Sequence, residues 1–199
     1  MNEPYEILVS PYAVWLNTYT SVSSDSIGAN DFPDVEANPG GSWLLMGSSG
    51  TRNIAEGGVT VEHSQEFAEI RTEGHYGPVK IVRTSESQKV RFTLLDLVPS
   101  QFTHALAGDA KTANSATLES IPLSRGENVR EVKLLIRGAS PLADGKKAQF
   151  EIPRAVQTGN PSLVFQKSAP VGLEFEFTCL DDTTSATTGR RFGRFIAAI

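Results

Sequence analysis

The carboxylates of GLEFEFTCLDD at 172–182 are the first residues whose spacing could carry chemistry. Glu174 and Glu176 stand two apart, and a strand places such side chains on one face roughly 7 Å from each other. That is a separation a glycosidase can use for its acid and its base or nucleophile. The same Glu/Thr pattern also marks a solvated or interface face. Cys179 shares the opposite parity with Phe175 and Phe177, which predicts a buried, inert thiol and not a nucleophile. No G-x-S-x-G elbow is present to orient a catalytic serine.

Metal and phosphate chemistry have weaker footing. His63, His75 and His104 are scattered, and with Cys179 they reach zinc's usual four ligands only by long-range coincidence. His75 lies in a glycine-flanked turn, and His104 is expected on the solvent side of a helix. The stretch GSSGTR at 47–52 has glycines but no lysine at a phosphate-loop offset, and reads as a turn. The basic-aromatic GRRFGRF at 189–195 interleaves cations with rings, as single-strand nucleic-acid surfaces do. The formal net charge of -5 opposes that use. An end segment that docks on an acidic neighbour is the plainer reading of Arg190, Arg191 and Arg194. No cofactor and no metal site is expected.

The elements that hold these residues are mostly short alternating runs. A chain of 199 residues with 39% hydrophobic and 21% charged residues suits a single folded domain. One cysteine permits no internal disulfide, which suits a reducing compartment. MNEPYEILVS has no secretory-signal pattern, and no window is apolar enough to span a bilayer, so a cytoplasmic origin and no membrane partner are expected. Residues 7–16 are expected to be an edge strand or arm, broken by Pro11. Residues 21–42 are rich in Ser, Asp, Asn, Gly and Pro and predict a long loop of the kind that partners order. Trp43 to Met46 return to core composition.

Val59 to Glu62 begin a strand, and 66–72 continue it in a charged, extended style. Residues 73–78, EGHYGP, form a turn cluster. GPVKIVRTSESQKVRFTLLDL at 77–97 reads as two runs joined by a polar step, TSES. In the second run Val90, Phe92 and Leu94 face a core. Phe102, Ala105 and Leu106 then have helical spacing, behind Pro99 and ahead of Gly108, which predicts one helix near 99–107. Residues 109–117 read as loop. Val132, Leu134 and Ile136 alternate with Lys133, Leu135 and Arg137. Ala148, Phe150 and Ile152 alternate with Gln149 and Glu151, and Pro153 ends or kinks that strand. The predicted class is mainly β: an antiparallel β-sandwich or barrel flanked by one short α-helix, with long loops and terminal arms. The domain division is 1–42 as N-terminal strand, arm and loop, 43–182 as core, and 183–199 as C-terminal arm.

Four stretches carry a family resemblance: WLLMG at 43–47 leading to GGVTVEH at 57–63; GPVKIVRTSE running into VRFTLLDL; PSQFTHALAG at 99–108; and KKAQFEIPRAV at 146–156 leading to GLEFEFTCLDD. In this order they resemble the major tail tube proteins of long-tailed, non-contractile bacteriophages and related gene transfer particles. The resemblance implies a non-enzymatic virion protein, made in the host bacterial cytoplasm and built into the tail. Its copies would form six-fold rings that stack into a tube, through which DNA passes without specific binding. The implied partners are itself, a tape-measure protein, a tail terminator and tail tip proteins. Glu62, Glu66, Glu69 and Glu73 are then expected near the lumen or at an acidic interface, where an acidic wall repels phosphate. Lys80, Arg83, Lys89 and Arg91, with the three arginines of the tail, are expected at contacts between subunits. The alternatives from the residues are a carbohydrate-binding or carbohydrate-cleaving β-sandwich, a tail terminator, a tail tip ring, or a secretion-system tube protein.

Overall fold

Leu173, Phe175, Phe177 and Cys179 alternate with Glu174, Glu176 and Thr178, and this segment forms a strand, Leu173–Cys179, whose apolar set is buried. It belongs to a computed structural model that describes residues 12–18, 32–47, 53–107, 112–115, 118–123, 127, 129–167, 170–183 and 188–199. In chain order the described strands are β1 (Ala13–Thr18), β2 (Leu44–Leu45), β3 (Ile54–Ile70), β4 (Lys80–Leu94), β5 (Thr112–Ser115), β6 (Leu118–Ser120), β7 (Glu131–Ala139), β8 (Lys147–Gln157), β9 (Leu173–Cys179) and β10 (Arg194–Ala197). Helix α1 (Pro99–Ala105) follows β4. Eight strands make one antiparallel sheet in the order β2-β1-β7-β8-β9-β4-β3, with β10 joined to β8; β5 and β6 form a separate pair. The expected mainly β, antiparallel class with one short helix is what forms. The path is open, so the sheet is not a closed barrel.

β8 is the corner. Its first half pairs β10 from Ala148 to Glu151, and its last residues pair β9 from Ala155 to Gln157. Pro153 lies between. The β7–β8 register jumps from Leu134↔Ile152 to Val132↔Ala155, which leaves Pro153 and Arg154 opposite Lys133 alone. This is a bulge, a place where strands bend and where proline's missing N–H removes no ladder bond. So Pro153 does not end its strand. Sharing β8 lets one sheet fold over on itself, with apolar faces inward. Val14, Leu16, Val132, Leu134, Ile136 and Ile152 from one half meet Val90, Phe92, Leu94, Leu173, Phe175 and Phe177 from the other. Phe92 and Phe175 stack with centroids 5.0 Å apart. Each such side chain contributes about 1.5–3 kcal/mol by leaving water.

Several expectations change. TSES is no break: β4 runs unbroken through it, with Thr84 as the extra residue where the register moves from Glu66↔Ser85 to Phe67↔Arg83. β1 is no edge strand, since β2 and β7 pair it on both sides; residues 7–11 lie outside the described residues, as do 21–31 of the long loop. The segment 109–117 is not all loop, because 112–115 pairs with 118–120. Lys133, Arg137, Gln149 and Glu151, which alternate with the apolar residues of β7 and β8, are all four buried. Residues 32–37 lie across them. Arg137 donates to the carbonyls of Asp34 (2.9 Å) and Ala37, and to Gln149 Oε1 (2.9 Å), while Gln149 donates to the carbonyl of Pro33 (3.1 Å). Glu151 pairs with Arg194. Buried polar groups are tolerable when partnered in this way. Finally, His104 is not on a solvent face. It sits against Arg130 (3.4 Å), and burial, then that cation, push its pKa down to about 4.

Candidate assembly surface

β3 and β4 form a hairpin much longer than the sheet beside it. β9 pairs β4 only between Lys89 and Leu94. Beyond that point the two strands continue as a two-stranded arm, from His63↔Gln88 to Ile70↔Lys80, closed by the turn at 71–79. His75 N–H donates to the Thr72 carbonyl, and Val79 N–H to that of Ile70. Eight residues beyond Glu62 at about 3.3 Å each give the arm a reach of roughly 26 Å.

Paired residues in a ladder share a face, so the register sorts the arm. One face carries Thr60, Glu62, Ser64, Glu66, Ala68 and Ile70 with Arg91, Lys89, Ser87, Ser85, Val82 and Lys80. The other begins in the core at Val59, Val61, Val90 and Phe92. It continues as His63, Gln65, Phe67 and Glu69 with Gln88, Glu86, Arg83 and Ile81. The predicted acidic group is therefore split. Glu62 and Glu66 share a face, Glu69 is on the opposite one, and Glu73 is in the turn. The predicted basic group is split too. The bulge at Thr84 puts Lys80 with Lys89 and Arg91, and Arg83 behind them.

Most of these charges have partners within the chain. Arg91 binds Glu62 and, at 2.7 Å, Glu176, and Lys89 binds Glu176 at 2.8 Å. Hydrogen bonds from Lys89 and then Arg91 hold the Glu176 carboxyl below the usual carboxylate range, and the bond to Glu176 raises Arg91. Glu66 accepts from Ser85 Oγ (2.9 Å), Arg71 donates to Glu69 (2.7 Å), and Glu86 takes both Arg83 (2.9 Å) and His63 (3.1 Å). In the tail, Arg194 pairs with Glu151 and Arg191 lies 3.6 Å from Asp181, while Arg190 is exposed. Lys80 has no such partner among the described residues.

Sequence reasoning missed the apolar end of the arm. Phe67, Ile70, Tyr76, Val79, Ile81 and Val82 are all exposed, Phe67 at 56% and Ile81 at 58%. They occupy both parities, so no alternation flags them; the signal was only their density in a segment otherwise read as charged. At the hairpin's other end, the register jump from Ile54↔Leu94 to Val59↔Phe92 loops out Ala55 to Gly58 and opens a groove. It has a volume of about 300 Å³ and is lined by Gly57, Gly58, Gly159, Asn160, Glu174 and Glu176, among others. Glu176, held below the usual carboxylate range by Lys89 and Arg91, is unsuited to the general-acid role in such a carboxylate pair. Cys179 is buried, and burial pushes its thiol up to about 12.

No family model matches the chain, and no curated protein matches it in sequence. Among solved structures the fold is similar to a chain in the cryo-EM structure of the anti-feeding prophage (AFP) baseplate, 6-fold symmetrised. The TM-score is 0.53 at 10% identity, over 99% of this chain and 98% of that one. At that identity the likeness is one of fold.

Proposed function

We propose that this chain is a structural, non-enzymatic subunit of a phage-tail-like particle, and that its copies form six-fold rings stacked into a tail tube. The arm carries this reading. A lone two-stranded ribbon is marginal in water, and an exposed apolar end calls for cover. The outer edge of β3, Ile54–Ile70, takes no other strand of the described sheet, and a long free edge is a template for another chain. The fold likeness supports the reading, since it spans both chains almost end to end and the neighbour stands in a six-fold assembly.

On this reading the arm face with Glu62 and Glu66 turns towards the channel. That face sets Glu62 and Glu66, with Glu176 of β9, against the cations Lys89 and Arg91. It is weakly acidic and rich in serine, and gives passing DNA little to bind. Glu69 and Glu73 instead meet neighbours, as do Arg83, Arg190 and the apolar arm end. The tape-measure protein fills the channel before ejection, and terminator and tip proteins close the ends. The protein is placed in the virion tail after synthesis in a bacterial host. The baseplate origin of the neighbour favours one second reading, a ring at the tube's end. Negative-stain microscopy of the purified protein separates them: open-ended tubes of variable length support the tube, single stacked rings the terminal position. Monomers at every concentration contradict both.

A further inference from the structure

The arm's apex and the looped-out groove lie at opposite ends of one hairpin. Gly57 and Ile70 are thirteen residues apart on β3, roughly 40 Å along the strand, so the apex does not reach its own groove. The two are complementary nonetheless. Gly57 and Gly58 keep part of the groove free of side chains: a Cβ added at either would meet no atom within 4 Å, while Arg91, Phe92 and Phe175 also line it. Glu56 and Glu174 beside it are exposed and have no ion-pair partner among the described residues. The apex presents a fully exposed Tyr76, an exposed Val79, and Lys80, the arm's unpaired cation. Tyrosine is a frequent interface anchor, because its rigid ring fills a pocket while its hydroxyl stays hydrogen-bonded.

We infer that the apex of one copy, Tyr76 with Val79 and Lys80, seats in the groove of a second copy formed by Gly57, Gly58, Asn160 and Glu174. This rests on the self-assembly reading above and names the two surfaces that meet. The ring of Tyr76 lies over Gly57 and Gly58, its hydroxyl reaches Asn160, and Lys80 faces Glu174. The contact is head to tail, so a pair leaves a free apex at one end and a free groove at the other, and the contact repeats.

The test is bismaleimide cross-linking between two variants, Tyr76→Cys and Asn160→Cys, mixed at a concentration where they assemble; a direct disulfide is too short, since a tyrosine hydroxyl reaching Asn160 sets the two Cα atoms more than about 7 Å apart. The native Cys179 is buried and does not compete. Mixed-variant dimers in large excess over dimers of either variant alone are expected. Tyr76→Ala is expected to raise the concentration needed for assembly about thirtyfold, with unchanged melting of the free subunit. Assembly by the mixed variants without this cross-link, or dimers dominated by Tyr76→Cys joined to itself, overturns the inference and leaves the subunit reading standing. If the unmodified protein forms no assembly at all, both fall.

Discussion

The two ends of the β3–β4 hairpin share one ladder and have opposite fates. At the base, Val59, Val61, Val90 and Phe92 lie against β9 and the opposing half of the sheet, and Val90 and Phe92 are buried. In the arm the same ladder continues, yet both faces are exposed, first polar and then apolar. Backbone pairing therefore does not decide what a strand is for. The base owes its stability to buried side chains, while the apolar arm end stabilises nothing within the subunit. Residues that cost exposure without a return inside the fold are those to assign to a partner.

That contrast is open to attack at both ends. Phe175→Ala empties a stack shared with Phe92 and Phe177, and is expected to cost about 3–5 kcal/mol in denaturant melts. Replacing residues 65–86 with a two-residue Asn-Gly turn, flanked by the paired Ser64 and Ser87, removes more atoms, but is expected to leave the fold intact by circular dichroism and abolish assembly by sedimentation. A collapse of the shortened chain would show that the arm belongs to the core after all. The cover over the base gives the next effect. His104 in α1 titrates near 4 when folded and near 6.5 when unfolded. The unfolded chain thus binds more protons between these values, and stability falls as pH drops through that window, by roughly 3 kcal/mol. His104→Leu should flatten this part of the stability-against-pH curve.

The smallest effect belongs at the border, where Lys89 and Arg91 hold Glu176. A depressed carboxylate contributes above its unfolded pKa, near 4.3, and loses that contribution as pH falls through its lower folded value. Glu176→Gln should therefore cost at most about 1 kcal/mol at pH 7 and nothing in strong acid. A larger loss at neutral pH would move the border into the core.

The sequence made the core legible where one parity was uniformly apolar: Leu173 to Cys179, Val90 to Leu94, and Val132 to Ile136. The short helix was legible from Pro99 and the spacing of Phe102 and Ala105. Other features depend on through-space neighbours. The burial of Gln149 and Glu151 is one, because nothing local reports that residues 32–37 lie over them. The split of the acidic patch was available from parity, since 62 and 66 are even and 69 is odd. For the basic one parity sets the wrong residue apart, Lys80 and not Arg83, because a single bulge at Thr84 reverses the parity of everything beyond it. The looped-out groove had a trace in Gly57-Gly58, but its far wall comes from Asn160 and Glu174, over a hundred residues away.

The arm's part as an assembly surface is what everything else depends on. Hydrogen exchange, read by mass spectrometry on the free subunit and on its assembled form, tests this directly. The predicted result is fast exchange of amides 63–88 in the free subunit and strong protection on assembly, with residues 89–94 and 173–179 protected in both. Equal protection of 63–88 in the two forms would contradict it.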